Sequence, residues 1–229
     1  MCGRFAQYQG MADYLRELDA EQDVISGYDN LPIARYNIAP TTRVLILHSV
    51  DDGLRIDPVH WGWAPFWAKG KRPDPINARV ETVTTGKFFK QLWPNGRALV
   101  VADGWYEWFK DPDNPKKKQP YFIRLKSQAP MFLAALAQVH TGLEPQEGDG
   151  FVIITAASDQ GMVDIHDRRP LVLSPVHARE WLGHDLSPAR AEDIAKNLCL
   201  PVDEFEWYPV GTSVGNVKNQ GADLILPLG

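Results

Sequence analysis

RALVVADGWYEW, residues 97–108, joins an apolar run to a stretch of aromatic and acidic side chains. Its β-branched and aromatic content predicts a strand over 97–108. Alternation then places Glu107 on the side of Trp105, with Tyr106 and Trp108 facing the other way. A carboxylate among aromatic rings loses water, which raises its pKa towards values useful in proton transfer. An exposed glutamate at a strand end fits the same pattern, and the segment alone does not choose between them.

Strand signals continue on both sides of this segment. RVLILHSV (43–50) and LRIDPVHW (54–61) read as neighbours turning at residues 51–53. QPYFIRL (119–125), PMFLAALAQV (130–139) and GFVIITAA (150–157) follow, and DPDNPKKKQP (111–120) reads as an exposed hairpin tip. Helical spacing of Met11, Tyr14, Leu15 and Leu18 predicts a helix within 10–22. Ser174-Pro175 and Ser187-Pro188 are start signals for two more. Strands massed between terminal helices argue for one α+β domain, residues 1–229, around a largely antiparallel sheet curled in a barrel-like way with peripheral helices.

The chain has 229 residues, 44% of them hydrophobic, enough for a sizeable core. Its net charge of −5 means that any nucleic-acid site must be a local patch. Cys2 and Cys199 are its two cysteines, which excludes a disulfide framework and a cysteine-based zinc site and fits a reducing compartment. Neither a signal peptide's apolar core nor a membrane-length apolar run is visible, so a cytoplasmic protein is expected. The histidines have no ligand spacing, and no metal or other cofactor is expected.

Three polar clusters carry candidate chemistry besides the MCGRF start. In NARVET (77–82), an extended chain puts Asn77, Arg79 and Glu81 on one face, a pattern that solvated strand decoration also produces. ADGWYEW (102–108) holds Glu107. DIHDRRPLVL (164–173) sets His166 among Asp164, Asp167, Arg168 and Arg169 just before an apolar strand. Histidine suits proton transfer near neutrality, and paired arginines suit phosphate. Trp63, Phe66 and Trp67 beside Lys69, Lys71 and Arg72 form an aromatic and basic loop of the kind that binds single-stranded nucleic acid.

With MCGRF (1–5), RYNIAP (35–40), WGWAP (61–65), INARVET (76–82), ADGWYEW, DIHDRRP (164–170) and VGNVKNQGA (214–222) in this order, the chain resembles the SRAP family of abasic-site-processing proteins along essentially its whole length. The resemblance implies a curled-sheet domain with a groove for single-stranded DNA. It implies a mature N-terminal cysteine that bonds to abasic sites as a thiazolidine, shielding them in the DNA damage response. On the matching motifs Cys2 is the nucleophile, Asn77 and Glu107 are its partners, and His166 gives or takes a proton. Arg4, Asn37, Pro40, Trp67, Arg79, Thr155 and Arg168 would line the DNA path. A bacterial member carries two adjacent tryptophans in the aromatic loop where this chain has Phe66-Trp67, so the wedging role carries over to Trp67 alone. The implied partner is single-stranded DNA with abasic sites, bound by a monomer; lyase activity is left open.

The chemistry explains why cysteine follows Met1. A free α-amine condenses with an aldehyde, and a thiol on the same residue closes a five-membered ring. An α-amine of pKa about 8 offers roughly a few hundred times more free base at pH 7 than a lysine of about 10.4. Two other readings keep part of this pattern: an N-terminal-nucleophile peptidase or amidohydrolase that uses Cys2, and a non-covalent single-strand-binding module that needs no thiol.

Overall fold

The computed structural model describes residues 2–114, 116, 118–140 and 146–229. In chain order its elements are β1 (Phe5–Gln7), α1 (Met11–Leu18), β2 (Arg35–Ile38), β3 (Arg43–Val50), β4 (Gly53–His60), β5 (Asn77–Arg79), β6 (Arg97–Ala102), β7 (Gly104–Lys110), β8 (Lys118–Leu125), β9 (Met131–Gln138), β10 (Gly150–Ala157), β11 (Arg168–Pro170), β12 (Val172–Leu173), α2 (Pro175–Leu182), α3 (Pro188–Asn197) and β13 (Phe205–Pro209). One sheet runs β13-β8-β7-β1-β2. The other runs β11-β10-β9-β6-β3-β4, with β12 on β9 and β5 on β10. Their strand pairings are antiparallel except β5 on β10. The sheets curl but do not close into a barrel.

The segment 97–108 is two strands, not one. β6 enters the larger sheet and β7 the smaller, and the break falls at Asp103. Its carboxylate, 4% exposed, accepts from the Tyr8 and Gln9 N–H groups, the Gln9 amide and the Tyr14 hydroxyl. Those bonds tie the corner to the chain running from β1 into α1. Gly104 allows the second half of the corner, because a Cβ there would fall inside the Phe122 ring. Gly104→Ala is therefore expected to destabilise the fold by about 1–3 kcal/mol, the usual cost of overpacking. Denaturant unfolding at constant m-value checks it, and an unchanged midpoint would contradict it.

Burial explains the rest of the pattern. β6 is apolar from Ala98 onward because Leu99 and Val101 face the helices while Ala98, Val100 and Ala102 face the smaller sheet. Tyr14, Leu15, Trp181 and Ile194 cover the helical side. Phe5, Trp61, Trp105, Phe151 and Ile153 fill the space between the sheets, and Cys2 is buried among them. Tyr106 and Phe122 pack outward under Val210, Val214 and Leu224 of the C-terminal turns. Trp105 and Tyr106 thus take opposite faces, as alternation requires.

The helices start where expected. The Ser174 and Ser187 hydroxyls accept from the His177 and Arg190 N–H groups. α1 stops at Leu18, short of residue 22, because Asp19 takes a left-handed conformation (φ 53°) and returns its N–H to the helix's last carbonyls. Residues 115 and 117 of the expected hairpin tip lie outside the described residues; residues 112–114 are exposed. Among the described residues no helix is long and apolar enough to cross a membrane.

Candidate active site

Residue 2 is brought between the sheets by its own strand. Phe5 pairs with Trp105 and Ala6 with Gly104, and the Tyr106 N–H donates to the Arg4 carbonyl at 2.9 Å. This antiparallel register carries the chain start alongside Glu107. From the other sheet, β5 pairs parallel to β10 with Asn77 opposite Ile153. The Asn77 Nδ2 donates to the Cys2 carbonyl at 3.0 Å, and its Oδ1 is buried with no partner among the described residues. The two sheets meet at Cys2.

The electrostatics of this junction follow from desolvation. Burial pushes the Glu107 carboxyl up to about 7. Burial, followed by the negative charge of Glu107, also pushes the Cys2 thiol well up. The thiol therefore rests protonated. His166 lies between the short 3₁₀ turn Gln160–Asp164 and β11. Its Nδ1 lies 2.9 Å from the Arg168 backbone nitrogen and 3.0 Å from Asp167 Oδ1. Burial lowers its pKa and favours the neutral ring.

The expected DNA-lining residues divide into two groups. Arg79 is exposed, and so are Trp67 and Phe66, at 45% and 86%. Trp67 sets its edge on Phe88, whose ring also carries the Arg72 guanidinium at 4.8 Å. Pro40 is half-buried at the end of the RYNIAP segment. Asn37 and Thr155 are buried, at 1% and 0%. The Asn37 amide donates to the carbonyls of Val214, Asn216 and Asn219, and its oxygen accepts from Arg4 Nη1 at 2.7 Å. Asn37 thus joins VGNVKNQGA to Arg4, whose guanidinium lies over the Trp108 ring.

Arg168 is placed differently from Arg79. Its guanidinium is buried, bonded to both Glu81 carboxylate oxygens and to the Thr155 carbonyl. Glu81 received no role from sequence, although NARVET contains it. Its signal was the charge itself, two positions past the end of β5. Among the described residues, no three His, Cys, Asp or Glu side chains converge as a metal site requires.

Fold and site together define a class: curled antiparallel sheets that grip a cysteine next to the chain start, with a buried carboxyl beside it. The profile of the SOS response associated peptidase (SRAP) family matches residues 1–217, and the chain belongs to that family. It is 53% identical to the abasic site processing protein YedK of Escherichia coli over the full length of both. It is 34% identical to the abasic site processing protein YoaM of Bacillus subtilis, with 98% of this chain and 97% of that protein covered. A solved phage-related protein of Bordetella bronchiseptica has the same fold, with a TM-score of 0.77 at 40% identity, covering 91% of this chain and 94% of that one.

Proposed function

We propose that this chain captures abasic sites in single-stranded DNA through Cys2. With Met1 removed, the α-amine of Cys2 condenses with the ring-opened aldehyde of the abasic sugar and water leaves. The thiol then adds across the C=N bond, giving a thiazolidine. The observation that carries this reading is Cys2 buried beside a Glu107 carboxyl whose pKa is about 7. Such a group can take a proton from the α-ammonium and return it to the departing hydroxyl near neutrality. The neutral His166 ring can take the proton of the anomeric hydroxyl as the furanose opens, while water protonates the ring oxygen. Asn77, with a free amide oxygen, can hold the amine.

The raised thiol pKa speaks against a thiolate hydrolase, which needs the opposite shift. It suits a sequence in which the amine attacks first and the thiol closes the ring second. The relatives' names as abasic site processing proteins point the same way. The test is incubation of the Met1-free protein with single-stranded DNA holding one abasic site, followed by denaturing electrophoresis. A heat-resistant shifted band is expected. Its absence, with the DNA still bound under native conditions, would leave only the non-covalent module.

The arginines should behave unlike one another. Arg79→Ala should weaken DNA binding and make its salt dependence shallower by about one phosphate contact. Arg168→Ala instead strands Glu81 and takes one of two donors from the Thr155 carbonyl, which keeps the Val80 N–H. With Glu81 half exposed, the expected loss of stability is about 1–3 kcal/mol. Salt titrations and thermal melts on both variants separate the two roles. An Arg168→Ala protein that melts like wild type and loses one unit of salt slope would make Arg168 a phosphate contact.

A further inference from the structure

The second cysteine lies outside this chemistry. Cys199 follows α3, forms an isolated bridge with Leu173, and is partly exposed. Facing it is Arg169, whose Nη2 lies 3.8 Å from the Cys199 Sγ. Arg169 is 5% exposed, and its Nε and Nη1 have no hydrogen-bond partner among the described residues. Its guanidinium is held over the Phe205 ring at 5.8 Å, and no carboxylate pairs with it among the described residues.

Neighbouring arginines show how unusual this is. Arg97 is nearly as buried but gives its donors to the carbonyls of Trp93, Pro94, Trp181 and Gly183. Arg168 is bonded to Glu81 and Thr155. Among the described residues Arg169 has a sulfur and no oxygen acceptor. A buried donor left unpaired costs about 1–3 kcal/mol, so the arrangement calls for an acceptor that arrives later. An oxygen atom attached to the sulfur would give the guanidinium, whose Nη2 faces the thiol, its first oxygen acceptor among the described residues.

We propose that Cys199 is an oxidation site at which Arg169 holds the sulfenate formed by a hydroperoxide. The Cys199 thiolate attacks the distal peroxide oxygen; the S–O bond forms and the O–O bond breaks. The sulfur is oxidised by two electrons. The peroxide is reduced, and its other oxygen leaves as an alcohol, or as water from hydrogen peroxide, after taking up the thiol's proton. The new oxygen accepts from the guanidinium. Cys2 is less reactive towards the same oxidant because its thiol is held protonated beside Glu107. The site is independent of the crosslinking proposed above and stands if that reading fails.

The test is exposure of the full chain to hydrogen peroxide with dimedone as the sulfenate trap, followed by peptide mass spectrometry. Labelling at Cys199 is expected about tenfold or more faster than at Cys2. Arg169→Met keeps the bulk and removes the donors, and should lower the trapped fraction at Cys199 several-fold. No label at Cys199, or equal label in a folded Arg169→Met, overturns the proposal. If Arg169→Met does not fold, the melt of the wild-type protein before and after one equivalent of peroxide decides, with Cys199→Ser isolating the contribution of this thiol. An oxidised protein at least as stable as the reduced one supports a prepared acceptor site. A fall in melting temperature that is absent in Cys199→Ser overturns it.

Discussion

Cys2→Ala is expected to abolish the stable adduct with abasic DNA, lowering its yield by about two orders of magnitude or more. The variant still presents an α-amine beside Glu107, so an imine can form. Without sulfur nothing closes the ring, and the imine hydrolyses unless borohydride reduces it. Cys2→Ser should behave almost the same way, because its hydroxyl is a weaker nucleophile. An uncleaved extension before Cys2 should remove even the trapped imine, since it keeps the thiol but turns the amine into an amide. Mass spectrometry of the N-terminal peptide after exposure to abasic DNA reads all three. A stable sugar adduct elsewhere in the chain, or one of equal stability in Cys2→Ala, would sink the thiazolidine reading.

Glu107→Gln should slow crosslinking by about 10²–10⁴-fold, the usual contribution of a positioned acid–base group, with DNA binding nearly intact. The wild-type rate should inflect near the Glu107 pKa of about 7, and the variant's profile should lack that inflection. A wild-type rate in the variant across pH 5 to 8 would remove Glu107 from the mechanism. Stability should move the other way. Burial raises the Glu107 pKa from 4.5 to about 7, so below 4.5 the group is neutral in both the folded and unfolded states. Between 4.5 and 7 the unfolded chain releases the proton first, and stability falls as pH rises. The glutamine variant escapes that loss and should be more stable than wild type above pH 7 by up to about 3 kcal/mol, with little difference near pH 4. Thermal melts at pH 4 and 8 test the sign.

Much of the site was legible because its residues lie in short, regular segments. Strict alternation in β7 put Glu107 on the face of Trp105, and both do face the space between the sheets. The serine caps of α2 and α3 were readable because an N-cap is a local device. The corner at Asp103 was not. Nothing within 97–108 says that its carboxylate finds four donors from residues 8–14, and an unbroken strand is the natural reading without them.

The roles of the arginines show the same boundary more sharply. Arg79 and Arg168 look alike as charges in polar motifs, yet one is exposed while the other is buried against Glu81, 87 positions away. Asn37 likewise looks like a surface contact, but it is buried under a loop more than 170 positions later. Residue types and short-range periodicity determined the strands, the caps and the candidate nucleophile, because each depends on neighbours within a few positions. Tertiary structure alone decided which polar groups are desolvated and which meet water. Desolvation depends on what packs from distant parts of the chain, and it is what raises Glu107, keeps the Cys2 thiol protonated and leaves Arg169 facing a sulfur.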